Sequence, residues 1–106
     1  MIRIAVTRQG EHITHWETSG HAEYAEKGED LVCAAVSAIV FGLLNACSET
    51  DPQVCCKVEE NRITIDHSSG NEVIDHFLTC ALYQCKTIEE SYPVFVRVLE
   101  RRPDEV

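Results

Sequence analysis

The sequence has 106 residues, of which 44% are hydrophobic and 25% are charged, as is ordinary for a globular domain. This length predicts a single domain, residues 1–106, that buries a core without disulfides or metals. The formal net charge of −9 argues against nucleic acid as a direct partner, because phosphate binding requires a basic surface. No run of 18 apolar residues and no signal-peptide pattern is found, so we expect a cytoplasmic protein without a membrane partner.

The first predicted elements are two strands, at residues 2–7 and 13–18, in which apolar and polar side chains alternate. Gln9-Gly10 is a turn signal between them, so the two strands predict a hairpin. The polar segment 19–29 follows and is rich in small residues. It predicts a loop of a length that is often functional in compact domains.

The next element is a long apolar helix, for which Asp30 is the predicted N-cap and Glu49 the approximate end. Pro52 prevents its continuation. The remaining chain predicts two short strands, an amphipathic helix, a final strand and a frayed polar tail, at residues 54–59, 62–66, 72–91, 94–98 and 100–106.

The order of these elements is ββαββαβ. It predicts an α+β domain of two layers, in which a five-stranded, mostly antiparallel sheet has two helices on one face.

A cysteine–histidine pair carries the clearest chemical signal. His21 lies in the predicted loop, twelve residues before Cys33. With Asp30 as N-cap, Cys33 is the third residue of the helix, where the positive end of the helix dipole favours a thiolate and free N–H groups can stabilise an oxyanion. Gly20 and Gly28 bound the loop and would let it fold His21 over that thiol, as a general base. The alternatives are a buried, inert Cys33 and a solvated His21.

Two further residues accompany this pair. Asp30 has a plain role as the helix cap, and it could instead orient His21 as the third member of a triad. Ser37 lies four residues after Cys33 and therefore on the same helix face. It could bond to a backbone carbonyl or contact the thiol and the substrate.

The six cysteines include no C-x-x-C pair, and no His, Cys and Asp set has metal-ligand spacing. We therefore expect free thiols, no metal and no cofactor. A redox switch at Cys33 is disfavoured, since Cys47 lies too far along the same helix to form a disulfide with it.

The segment from Gly20-His21-Ala22 through Gly28-x-Asp30-x-Val32-Cys33-Ala34-Ala35-Val36-Ser37 resembles the signature of the bacterial ribosomal-processing cysteine proteases. The resemblance extends over the whole chain in length and in element order. It implies a cysteine endopeptidase that removes the N-terminal extension of a large-subunit ribosomal protein (the bL27 class).

Carried onto this chain, the resemblance makes Cys33 the nucleophile and His21 the general base and acid, with Asp30 and Ser37 in supporting positions. It also implies a homodimer, and a loop containing Gly20 and Gly28 that orders around the substrate. The partner would be a basic ribosomal protein, to which the net charge of −9 is suited. A non-catalytic, ribosome-associated binding module for such a protein is the alternative function.

Overall fold

The computed structural model describes residues 1–20 and 27–102, with side chains for all of these except residues 27–30. Its elements follow the predicted order of two strands, a helix, two strands, a helix and a strand. They are β1 (Ile2–Gln9), β2 (His12–Ser19), α1 (Lys27–Thr50), β3 (Cys55–Glu59), β4 (Arg62–Asp66), α2 (Glu72–Ser91) and β5 (Val96–Arg101).

The five strands form one sheet in the order β3-β4-β2-β1-β5. Three of the four pairings are antiparallel, and β5 lies parallel to β1 at one edge. The predicted two-layer α+β class with a mostly antiparallel sheet is therefore confirmed. The parallel pairing follows from α2, which returns the chain to the end of the sheet where β1 begins.

The β1–β2 hairpin contains an irregularity that sets which side chains face the helices. Thr7 pairs with His15 and Arg8 with Ile13, so Thr14 is an extra residue in β2. As a result Ile13 and Trp16, three residues apart, are both fully buried on the same side of the sheet.

Both helices pack on one face of the sheet and enclose the core. Asn71 is the N-cap of α2, and its side chain accepts a hydrogen bond of 2.9 Å from the Val73 amide. The core is formed by buried side chains of α1, α2 and the inward positions of the sheet, among them Val32, Val36, Val40, Ile74, Leu78, Leu82, Ile4 and Ile65.

The other side of α1 is apolar and exposed. The segment Leu31–Thr50 has a mean hydropathy of 2.1, and 28% of that window is buried. By length and composition alone, it could cross a membrane. The core helix of a soluble protein meets the same criterion, and α1 packs its buried stripe on the sheet.

Three sequence-based expectations about individual residues were wrong. Val73, placed on the apolar face of α2, is 47% exposed, whereas the next residue, Ile74, is fully buried and begins the buried stripe of the helix. Glu100 and Arg101, expected in a frayed tail, belong to β5, where Glu100 bonds to Arg8 and Lys86. His67, expected at the surface, is 3% exposed.

The backbone conformation at Gly20 leaves no room for a side chain, so we expect its replacement to destabilise the fold. Its φ is +83°, and a Cβ there would collide with the carbonyl oxygen of Met1. We predict that Gly20→Ala lowers the free energy of unfolding by about 3 kcal/mol or more, measured by urea denaturation. Gly10→Ala is the matched control, since Gly10 has φ +63° with no atom nearby, and should cost only about 1–2 kcal/mol. Equal losses of unfolding free energy in Gly20→Ala and Gly10→Ala would contradict a collision at Gly20.

Two core thiols should make the fold sensitive to alkaline pH. Burial raises the pKa of Cys47 from 9.0 to about 11 and that of Cys85 from 9.0 to about 12. Above pH 9 the unfolded chain releases these protons while the native protein retains them, so the free energy of unfolding should fall as the pH rises. Urea denaturation between pH 8 and about 10.5 measures that slope.

The variant Cys85→Ala should reduce this alkaline slope, whereas Cys55→Ala should not change it, since Cys55 is exposed. A slope that is identical in the two variants would count against burial as its cause.

Candidate active site

Cys33 borders a small enclosed cavity between α1 and one end of the sheet. The cavity has a volume of about 20 Å³, room for roughly one water molecule. It is lined mainly by apolar side chains from β1, β2, β4 and α1, together with Gly20, which follows β2: Ile2, Thr18, Gly20, Cys33, Val36, Ser37, Val40, Phe41 and Ile63.

The register of α1 places the thiol at this cavity. Val32, Val36 and Val40 follow one another at four-residue spacing and are at most 3% exposed. Cys33 and Ser37 each come one residue after a buried valine, so both lie at the border of the buried stripe and are half-buried. Cys33 is thus accessible enough to react and close enough to the core to be held in position.

The predicted start of α1 was wrong. The helix begins at Lys27, so Asp30 is its fourth residue rather than its N-cap, and Cys33 is its seventh residue rather than its third. Lys27 and Glu29 are good helix formers, and acidic residues are stabilised in a first turn, so the helix extends past the local cap signal. The dipole effect decays within the first turn. The helix terminus therefore does not supply the thiolate stabilisation or the oxyanion donors that the sequence suggested at Cys33.

The structure brings together three of the six residues expected in the site. Gly20, Cys33 and Ser37 line the one cavity. Gly28 lies in the first turn of α1, although the sequence placed it in a loop. The backbone of Asp30 lies in the same turn, and its side chain is not among those that the structure describes. His21 lies outside the described residues, so its pairing with Cys33 stays a prediction.

Thr18 is a polar residue of this cavity that the sequence did not indicate. It is 7% exposed, and its Oγ1 accepts a hydrogen bond of 2.8 Å from the indole N–H of Trp16. A hydroxyl that accepts this bond still has its own proton, which Thr18 can donate to another group. No local pattern marks Thr18, because its surroundings are created only when α1 packs on the sheet.

A second polar cluster lies at the opposite end of the sheet from Cys33. The carboxylate of Asp75 contacts His12 Nδ1 at 2.6 Å and His67 Nε2 at 3.3 Å. Ser69 Oγ lies 3.2 Å from His67 Nδ1. These contacts join the hairpin tip, the β4–α2 connection and α2. Within residues 1–20 and 27–102, no group of three or more His, Cys, Asp or Glu side chains is arranged to hold a metal ion.

The chain is similar to known proteases over nearly its whole length. The family model described as "Cysteine protease Prp" matches residues 1–97. The ribosomal processing cysteine protease Prp of Mycoplasma pneumoniae is 34% identical over 87 residues, which is 82% of this chain and 87% of that protein. The protein of that name from Staphylococcus aureus is 30% identical over 109 residues, covering 92% of this chain and 97% of its own.

Solved structures agree with the sequence relatives. The Prp of S. aureus in complex with a substrate peptide has a TM-score of 0.86 and 27% identity, and the match covers 95% of this chain and all of that one. Protein SMU.848 of Streptococcus mutans has a TM-score of 0.85 at 27% identity, and the match covers 96% and 95% of the two chains. The family model, the sequence relatives and the shared fold together show that the chain belongs to the Prp family of ribosomal processing cysteine proteases and is a cysteine protease.

Proposed function

We propose that this protein is the endopeptidase that removes the N-terminal extension of a large-subunit ribosomal protein of the bL27 class during ribosome maturation. The observation that carries the proposal is the position of Cys33, half-buried beside Ser37 in a cavity of a Prp fold. Structures of the S. aureus relative hold a substrate peptide and a covalently linked product peptide, and nucleophilic catalysis forms a covalent link between enzyme and peptide. Ribosomal processing belongs in the cytoplasm, and we place the protein there.

The proposed chemistry uses Cys33 and His21. His21 accepts the proton of the Cys33 thiol, and the thiolate sulfur attacks the carbonyl carbon of the scissile peptide bond. The tetrahedral intermediate collapses when the C–N bond breaks and His21 protonates the leaving amine. Water, deprotonated by His21, then attacks the thioester, the C–S bond breaks, and the new carboxylate and the free thiol are released.

The supporting residues position the catalytic groups and limit the space open to the substrate. Ser37, one helical turn from Cys33, is placed to donate a hydrogen bond to the thiolate or to the substrate. Gly20 follows β2 with φ +83° and directly precedes His21 in the sequence. Gly28 and Asp30 lie in the first turn of α1, on the chain between His21 and Cys33. The cavity of about 20 Å³ has room for roughly one water molecule, so a substrate side chain that enters it would have to widen it.

The family resemblance also implies a homodimer, and we propose that two copies associate through the exposed side of α1. A groove of about 420 Å³ runs between α1 and α2 on the face away from the sheet. Small apolar residues of α1, among them Ala38, Gly42 and Ala46, form one wall, and a second helix can approach such a surface closely.

The catalytic proposal is tested with a synthetic peptide that spans the N-terminal extension of the host's bL27-class protein. Mass spectrometry should show one cut at a single bond. Cys33→Ala and His21→Ala should each lower the rate at least about 10³-fold, because each removes a group that takes part in bond making. Cys55→Ala, at an exposed cysteine that lines neither the Cys33 cavity nor the groove between α1 and α2, should cleave normally.

Undiminished cleavage by Cys33→Ala would refute the assigned nucleophile. If the peptide binds to the wild-type protein and is never cut, the alternative of a binding module for basic ribosomal protein is favoured for this substrate.

The dimer is tested by sedimentation velocity. The wild-type protein should sediment at twice the chain mass of 11.9 kDa. Ala38→Glu should shift it to the monomer, since a carboxylate in an apolar interface is left without a partner. Tyr83→Glu is the control: Tyr83 is 67% exposed on α2 and does not line the groove, so this variant should remain dimeric. A monomeric wild-type protein would contradict the proposal.

A further inference from the structure

The face of the sheet that the helices leave open carries most of the basic side chains of this acidic protein. Side chains alternate between the two faces of a strand, and the buried residues of each strand identify the inner face. By the strand register, the outer face holds five of the nine Lys and Arg residues of the chain, namely Arg3, Lys57, Arg62, Arg97 and Arg101. It holds only three of the 18 acidic residues, namely Glu17, Glu59 and Asp66.

The basic and acidic side chains are therefore distributed unequally between the outer sheet face and the rest of the chain. The outer sheet face has a formal charge of +2, from five basic and three acidic side chains. The other four basic and fifteen acidic side chains carry −11, which together gives the net charge of −9. An anionic ligand is thus repelled from most of the surface and attracted to one face.

The positive charge is concentrated on the β1–β5 half of that face. Its six outward positions carry three arginines, Arg3, Arg97 and Arg101, with Ala5, Thr7 and Leu99 and no carboxylate. Arg3 and Arg97 are direct partners in the parallel register, so their backbones are about 4.8 Å apart. Like charges placed directly opposite destabilise a sheet. Within the described part of the chain, none of these three arginines has an ion-pair partner.

We propose that this arginine patch, formed by Arg3, Arg97 and Arg101, binds the phosphate backbone of RNA. Guanidinium groups donate paired hydrogen bonds that fit phosphate oxygens. Arg101 lies four residues beyond Arg97, about 13 Å along the strand, so the patch spans more than one phosphate. No aromatic side chain stands on this half of the face, so bases have no ring to stack on and the binding is independent of sequence.

The choice of RNA over other polyanions rests on the proposed function, since a protease of ribosomal proteins meets its substrate beside ribosomal RNA. The net charge suggested that nucleic acid was excluded as a partner. A net charge, however, does not show where the charges lie. Here the strand register places most of the basic side chains on one face of the sheet. The patch would hold the protease on an RNA-bound substrate while the acidic remainder faces basic protein.

The test measures the fluorescence anisotropy of a labelled oligouridylate of about 20 nucleotides, titrated with the full-length protein between about 50 and 200 mM salt. The wild-type protein should bind at low salt and release the RNA as salt rises. The double variant Arg3→Gln/Arg97→Gln should bind at least about tenfold more weakly, and its salt slope should be smaller by about 1.4, which is about 0.7 for each lost phosphate contact.

The matched control is Arg8→Gln/Lys86→Gln, which removes the same charge from the two partners of Glu100, away from the patch. Equal weakening in both double variants, or no salt-dependent binding by the wild-type protein, would overturn the proposal. Competition by polyglutamate as strong as that by oligouridylate would also overturn it, and would point to an acidic protein partner.

Cleavage of the isolated peptide separates this proposal from the proposed function. The Arg3→Gln/Arg97→Gln variant should cut the free peptide at the wild-type rate, so loss of RNA binding with intact cleavage supports the arginine patch. If the wild-type protein binds RNA but cuts no peptide, the proposed function fails and the RNA-binding surface stands.

Discussion

The burial of one stripe of α1 on the sheet is the contact on which the geometry of the site depends. Val32, Val36 and Val40 are held in the core. Successive residues of a helix are about 100° apart, so fixing these valines also fixes the border position of Cys33 and Ser37. A rotation of α1 by one residue would bury the thiol or turn it to solvent. The accessibility of the Cys33 thiol is therefore set by the packing of the apolar residues beside it.

The two layers of the domain have different outer surfaces. The helical layer exposes an apolar face on α1 and a groove beside it, whereas the sheet exposes charged side chains on strands whose other face is buried. A domain of two layers has only one core, so each layer has one side free for other molecules. The site lies between the layers, at the end of the sheet where β1 and β5 begin.

The sequence predicts those parts of the fold that depend on local patterns. The bounds of α2 were predicted at Glu72 and Ser91 because apolar residues recur with the helical period along that segment, and the Asn71 cap appears only in the structure. The start of α1 was missed because the local cap signal at Asp30 competes with good helix formers before it. The parallel pairing of β5 with β1 joins segments more than 90 residues apart in sequence, and no local pattern encodes it.

The site shows the same division between local and tertiary information. Spacing and family resemblance marked Cys33 and Ser37, and the fold brings both to one cavity together with Gly20. Thr18 and the buried pair of His67 and Asp75 could not be found in this way. Their chemistry depends on neighbours from other elements, such as the indole of Trp16 and the imidazole of His12.

The parallel pairing of β1 and β5 has a practical consequence for handling the protein. Ile2 lines the cavity of Cys33, and its amide donates to the carbonyl of Phe95 at the start of β5. β5 then runs away from the cavity for six residues, about 20 Å. A tag or fluorophore fused before Met1 would sit beside the Cys33 cavity, whereas one attached after Arg102 would sit at the far end of the sheet.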